Sequence, residues 1–229
     1  MQITDSTALV TGANRGLGRA FAEALRDRGA RKVYATARRP ENVDIPGVEV
    51  LALDVTDPAS VAAAAAVARD VTLVVNNAGT STGANLVTGD AAAIRLEMDT
   101  HFFGTLEVVR AFAPALRANG GGAILNVLSA LSWFSFDGSN AYAAAKAAAW
   151  SLTNGIRLEL PGTQVTGLHL GTADTDMTRD LVGYPKLAPA EVARIAFDGI
   201  EAGEIEIVAD EWSAMVKGAL QHPGVFVAG

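Results

Sequence analysis

The chain contains no cysteine, only three histidines, and no apolar run long enough to span a membrane. Without cysteine there is no disulfide, no thiolate nucleophile and no cysteine-ligated zinc, a composition that suits a cytoplasmic protein. The histidines, His101, His169 and His222, show no metal-ligand spacing, so no metal is expected. Positive charge is also short: 18 Lys and Arg against 25 Asp and Glu leave a formal net charge of −7. That balance disfavours nucleic acid or an anionic membrane as a partner. The opening residues Met1-Gln2-Ile3-Thr4-Asp5 do not resemble a signal peptide. What the chain does have is bulk apolar content, 50% of 229 residues, enough to bury the core of one α/β domain over 1–229.

Short apolar runs alternate with helical patterns along the chain. Thr7–Val10, Val33–Ala37, Val48–Leu53, Val71–Val75, Gly122–Leu128, Gln164–Leu170 and a last piece near Glu204–Val208 read as strands. The last alternates apolar and charged residues, as an edge strand does. The order implies a doubly wound parallel sheet of about seven strands with helices on both faces, whose ligands bind at the strands' carboxyl ends. The chemistry-bearing residues gather at those ends. Thr11-Gly12-Ala13-Asn14-Arg15-Gly16-Leu17-Gly18 joins the first strand to a helix, and such a turn can admit a pyrophosphate to free backbone N–H groups. The second strand leads into Arg38-Arg39-Pro40 with no acid before Glu41, where an NAD-preferring fold would place one. Arg38 or Arg39, with Arg15, could instead clamp a 2′-phosphate, so NADP(H) is expected over NAD(H). Asp54-Val55 closes the third strand and Asn76-Asn77-Ala78-Gly79 the fourth.

The alanine-rich stretch Ser139–Trp150 has no interior glycine or proline and should be helical. It places Tyr142 and Lys146 on one face. A lysine cation about 4 Å from a phenol, at an effective dielectric of roughly 20, would favour the phenolate by about 4 kcal/mol. That would bring a group titrating near ~10 towards ~7, where proton transfer works best.

Taken together, Thr11-Gly12-x-x-x-Gly16-x-Gly18, Asp54, Asn76-Asn77-Ala78-Gly79, Ser129 thirteen residues before Tyr142, and Tyr142-x-x-x-Lys146 resemble the short-chain dehydrogenase/reductase family, over roughly Thr7 to Val208. The resemblance implies that Tyr142 is the general acid/base, Ser129 orients a substrate carbonyl, and Lys146 lowers the Tyr142 pKa and holds the nicotinamide ribose. It implies that Asp54 with Val55 meets adenine and that Asn77, Ala78 and Gly79 line the cofactor. The turn carrying Gly12, Asn14, Arg15, Gly16, Leu17 and Gly18 would take the phosphates. Thr175, four residues after Gly171, would meet the nicotinamide carboxamide, while Arg15 and Arg38 match NADP(H)-preferring members.

Two positions depart from the family. His101 replaces the asparagine of the Asn-x-x-Gly motif, and Leu170-Gly171 replaces Pro-Gly after the sixth strand. His101 is either a relay that takes over the asparagine's water or a partly buried residue bonding backbone. Leu131, Trp133, Phe134 and Phe136, with Met177, Leu181 and Tyr184 in a short lid over 176–188, suggest an apolar wall for a small hydrophobic carbonyl or alcohol substrate. The implied activity is interconversion of a ketone or aldehyde and its alcohol in a homodimer or homotetramer. The alternative is a catalytically weak NADP(H)-binding sensor on the same fold.

Overall fold

The computed structural model describes residues 1–221; 222–229, with His222, lie outside the described residues. In chain order the elements are β1 (Thr7–Thr11), α1 (Gly16–Asp27), β2 (Lys32–Ala37), β3 (Glu49–Ala52), α2 (Pro58–Val67) and β4 (Leu73–Asn76). There follow α3 (Ala91–Met98), a π-helical turn Asp99–Phe103, α4 (Gly104–Ala118), β5 (Gly122–Val127), α5 (Asn140–Glu159) and β6 (Thr163–His169). The chain ends through β7 (Thr172–Ala173), β8 (Lys186–Leu187), α6 (Pro189–Ala202), β9 (Glu206–Val208) and α7 (Glu211–Ala219).

Seven strands form one parallel sheet in the order β3-β2-β1-β4-β5-β6-β9, with β7 and β8 paired separately. The chain winds outward from β1 in one direction, then returns to β4 on its other side. The crevice between β1 and β4 is therefore the topological switch point, where a ligand binds in such sheets. Both faces are covered. On one, α1 and α6 pack with Phe21 and Phe197 edge to face, ring centroids 5.7 Å apart. On the other, Phe112 and Leu116 of α4 and Ile156 of α5 close over Val74, Ile124 and Val165. The central strands β1 and β4 are buried along their whole length, and this is why they read as continuous apolar runs. As expected, β9 is an edge strand. Asp57 caps α2, its carboxylate accepting the Ala59 N–H at 2.9 Å.

Before β5, α3 and α4 form one helical rod joined through the π turn, which carries His101. A single wide turn of this kind re-aims the side chains on it and is frequent at functional sites. Gly104 follows because Val55 lies against it: a Cβ there would stand 2.9 Å from the Val55 Cγ2. No described helix is long and apolar enough to cross a membrane.

Candidate active site

Thr11, at the end of β1, anchors the switch point. Its hydroxyl accepts the N–H groups of Asn77 and Ala78, each at 2.9 Å, while the Asn77 carboxamide donates to the Thr11 carbonyl at 2.9 Å. These bonds fasten the end of β4 to the glycine turn. Gly12 has φ +69°, and a Cβ on it would meet the Ala78 Cα at 3.1 Å. A Cβ at Gly18 would lie 2.1 Å from the Gly12 carbonyl oxygen and 2.6 Å from the Asn77 Nδ2, so the turn and the helix start fit together only without side chains. The partly buried Leu17 packs against the α1–α6 face of the core, and a Cβ on Gly16 would touch the Thr175 Cγ2 at 3.2 Å. Thr175 is thereby brought to the glycine turn across 159 residues of chain. This arrangement leaves the first turn of α1 facing the crevice, a cradle of the shape and polarity that suits a dinucleotide pyrophosphate.

The other cofactor candidates spread along the same edge. Asp54 accepts both the N–H and the hydroxyl of Thr56, at 3.0 and 2.7 Å, while the side chain of Val55 turns into the core. Asn14 is half-buried in the turn. Arg38 is exposed after β2. Arg15 is also exposed but reaches across to the segment after β7, where its guanidinium lies 3.4 Å from Asp176. That segment, expected to be the lid, carries a short helical turn, Asp176–Thr178, and leaves Met177, Leu181 and Tyr184 substantially exposed.

Ser129 follows β5 and starts a 3-10 turn, Ala130–Ser132, its hydroxyl accepting the Leu131 N–H at 3.1 Å. The same hydroxyl is hydrogen-bonded to the half-buried Tyr142 phenol from α5. Lys146, one turn on, is buried and donates to the Val127 carbonyl at 2.7 Å, its ammonium 5.5 Å from the centre of the Tyr142 ring. Here the structure corrects the sequence reading. The shared helix face brings the two side chains together, but the ammonium turns to a strand-end carbonyl instead of the phenol. Burial raises the phenol above its ordinary value, and the bond from Ser129 opposes this only in part. In the cofactor-free protein the nearby ammonium does not offset burial, and the phenol stays above its ordinary value. Burial instead brings Lys146 itself down to about 8, against the upward pull of Glu97. At neutral pH the site thus holds a protonated phenol beside an ammonium that loses its charge near 8.

His101 is buried, with its ring edge-on to Tyr142, centroids 5.2 Å apart. Its Nε2 lies 2.9 Å from the Thr80 carbonyl and 3.3 Å from a carboxylate oxygen of Glu97. Sequence reasoning passed over Glu97, although its spacing of four before His101 on a helix was readable. It also passed over His169. That side chain is fully buried behind Ser129, with Nδ1 3.1 Å from the Ser129 carbonyl and its ring stacked on Trp133 at 3.9 Å. Burial brings His169 down to about 4 from an ordinary 6.5. Between those values the unfolded chain binds a proton here that the folded chain does not. The contribution is present above about 6.5 and is lost as pH falls through about 4. By pH ~5 it should cost on the order of 2 kcal/mol. Urea unfolding at pH 7 and pH 5 should show wild type losing that much more stability than His169→Asn; parallel losses would overturn this assignment.

Known proteins resemble the chain over most of its length. The family model for short chain dehydrogenases matches residues 6–183. A short chain dehydrogenase from Burkholderia cenocepacia, solved in complex with NADP, superposes with a TM-score of 0.95 at 38% identity, covering 100% of both chains. A 1-deoxy-11-beta-hydroxypentalenate dehydrogenase of Streptomyces avermitilis is 34% identical over 80% of this chain and 74% of its own. The NADPH-dependent 1-acyldihydroxyacetone phosphate reductase of Schizosaccharomyces pombe is 35% identical over 76% of this chain and 62% of its own. The chain belongs to the short-chain dehydrogenase/reductase family. It is an NAD(P)-dependent oxidoreductase.

Proposed function

We propose that the chain interconverts a small hydrophobic ketone or aldehyde and its alcohol, with NADP(H) preferred and Tyr142 as the proton donor. The observation that carries this reading is the Ser129 hydroxyl on the protonated Tyr142 phenol, with buried Lys146 one helical turn away, beside the glycine cradle. The cradle formed by Gly12, Gly16 and Gly18 fits a dinucleotide. Asn77–Gly79 would line it, Asp54 and Val55 would meet adenine, and Thr175 would meet the carboxamide. When bound, the cofactor supplies or accepts a hydride at its nicotinamide ring. In the reducing direction Ser129 orients the substrate carbonyl, and the Tyr142 hydroxyl gives its proton to the carbonyl oxygen. The phenolate left behind is stabilised by the Ser129 hydroxyl and the Lys146 ammonium. Trp133 and Phe134 are held by His169 and Trp212, so they form a fixed wall, while Phe136, Met177, Leu181 and Tyr184 offer an exposed apolar rim. Two relatives carrying the names of a reductase and a dehydrogenase support a carbonyl–alcohol reaction. A panel of hydrophobic ketones and aldehydes with NADPH, followed by loss of nicotinamide absorbance, tests it; no turnover with any of them would count against the reading.

The cofactor preference rests on Arg38, exposed after β2 and without a described partner. Arg15 supports it, since its ion pair with Asp176 is exposed and holds it by no more than about 1 kcal/mol. Charge-assisted contacts to a 2′-phosphate are worth about 1.5–3 kcal/mol. Arg38→Asp should therefore weaken NADPH relative to NADH by roughly ten- to a hundredfold. Equal wild-type affinity for the two cofactors, measured by titration calorimetry, would sink the preference.

A further inference from the structure

Glu97 is the only fully buried carboxylate among the described residues, with 0% of its surface exposed. Its Oε1 accepts the Thr82 N–H at 2.6 Å. Its Oε2 has no hydrogen-bond partner, yet it lies 3.3 Å from His101 Nε2. A buried carboxylate is costly to keep unless a cation or strong donors face it. Two groups able to carry positive charge stand near it, His101 on its own helical rod and Lys146 from α5. His101 in turn faces Glu97 from α3, Tyr142 and Lys146 from α5, and the Thr80 backbone after β4. Two acceptors, the Thr80 carbonyl at 2.9 Å and the Glu97 carboxylate at 3.3 Å, converge on Nε2 and outweigh the one donor there, the Thr80 N–H at the longer distance of 3.4 Å. They favour the tautomer with its proton on Nε2 and leave Nδ1 as an acceptor.

We propose that Glu97 is a positioning residue for proton resupply to Tyr142: it fixes His101 with Nε2 protonated and keeps a negative charge beside the His101–Tyr142–Lys146 group. This rests on Tyr142 being the proton donor. After the phenol has given up its proton, His101 takes a proton from solvent at Nδ1 and becomes an imidazolium. The Nδ1–H bond then breaks as the Tyr142 O–H bond re-forms, directly or through one water. Glu97 is neither donor nor acceptor of the transferred proton.

The charge on Glu97 acts on all three neighbours in one direction. Burial and the Lys146 ammonium hold His101 below its ordinary value while Glu97 pulls it up. Burial depresses Lys146 and Glu97 again opposes it, and Glu97 adds to the upward push on the phenol. Removing the charge should lower every one of these values. Glu97→Gln keeps an oxygen for the Thr82 N–H, so it removes charge with little change of shape. In the alcohol-oxidising direction, where the relay runs backwards and His101 must be neutral to take up the proton that leaves Tyr142, both limbs of the pH–rate profile should move to lower pH by about one unit. In a His101→Asn background the acid limb should be absent, because asparagine keeps its acceptor at every pH. Adding Glu97→Gln there should move only the alkaline limb. Turnover that falls with both limbs unmoved would make Glu97 a mere tie to the Thr82 loop and overturn the proposal. Nitrogen NMR of labelled histidine in the wild-type, cofactor-free protein gives a reading independent of turnover and of variant folding. The resonance that disappears in His101→Asn should show the Nε2–H tautomer at neutral pH; an Nδ1–H tautomer would also overturn the proposal. Should Tyr142 prove not to be the donor, Tyr142→Phe would retain turnover while the tautomer stayed as stated, so the two failures are distinguishable.

Discussion

Tyr142→Phe should lower turnover by at least ~10²-fold, the usual contribution of a positioned general acid. The substitution keeps the aromatic ring edge-on to His101 and removes only the hydroxyl bonded to Ser129. A phenol is protonated at neutral pH and burial raises this one further, so the hydroxyl enters the reducing direction as an acid ready to donate. Its conjugate base then depends on the Ser129 hydroxyl and on whatever positive charge Lys146 still carries below about 8. NADPH affinity should change far less than turnover, since the glycine cradle, Asn77 and Thr175 are untouched. Steady-state rates with one good substrate, set against cofactor affinity from calorimetry, separate the two effects. A phenylalanine variant as fast as wild type would mean that the proton comes from another group.

The same site shows where the sequence was legible and where it was not. The strands could be read because each of the central ones is buried on both faces, and a run such as Leu73–Asn76 then carries no polar alternation to confuse it. The doubly wound parallel sheet followed from the alternation of strands and helices, and the placing of each motif at a strand's carboxyl end followed from the strands' positions in the chain. Helix α7 went unread in a C-terminal stretch of no clear pattern, although Asp210 caps it by accepting the Ser213 N–H at 2.7 Å. That Asp-x-x-Ser start was a usable signal. The pairing of β7 with β8 involves two residues from each strand, too few to leave any periodicity.

At the chemical centre, helical spacing correctly put Tyr142 and Lys146 on one face but could not say which way a long, flexible ammonium would turn. The Val127 carbonyl, brought there by the end of β5 from nineteen residues earlier, decides it. Nor could spacing reveal that Glu97 is buried. A glutamate in the first segment of a helical rod is ordinarily solvated, and here only the loop that delivers the Thr82 N–H, together with the π turn that re-aims His101, closes over it. Desolvation is a property of the assembled neighbourhood, so the directions in which Tyr142, Lys146 and His169 are pushed had no counterpart in the sequence.

Gly18→Ala should cost the protein its cofactor before it costs the fold. The added methyl would stand 2.1 Å from the Gly12 carbonyl oxygen and 2.6 Å from the Asn77 Nδ2, and the first of these is backbone that no rotamer change can move. Relief requires α1 to draw away from the β1 turn, or Asn77 to give up its bonds to Thr11 and Gly12. Either movement pulls the N–H groups at the start of α1 back from the crevice, where a phosphate would meet them. Overpacking of this kind costs about 1–3 kcal/mol, which a domain with core on both faces of its sheet can absorb. NADPH affinity should fall at least ~10-fold, because a shift of less than 1 Å is enough to spoil several charge-assisted hydrogen bonds together. Gly16→Ala makes the natural comparison. Its backbone has φ +55°, which strains alanine, but its new neighbour at 3.2 Å is a methyl of Thr175 that can rotate or shift. It should therefore lose less affinity than Gly18→Ala. Calorimetric titration of both variants with NADPH, alongside urea unfolding of the cofactor-free proteins, measures the two costs separately. Unchanged NADPH binding in Gly18→Ala would mean that the cradle between α1 and β4 is not where the pyrophosphate sits.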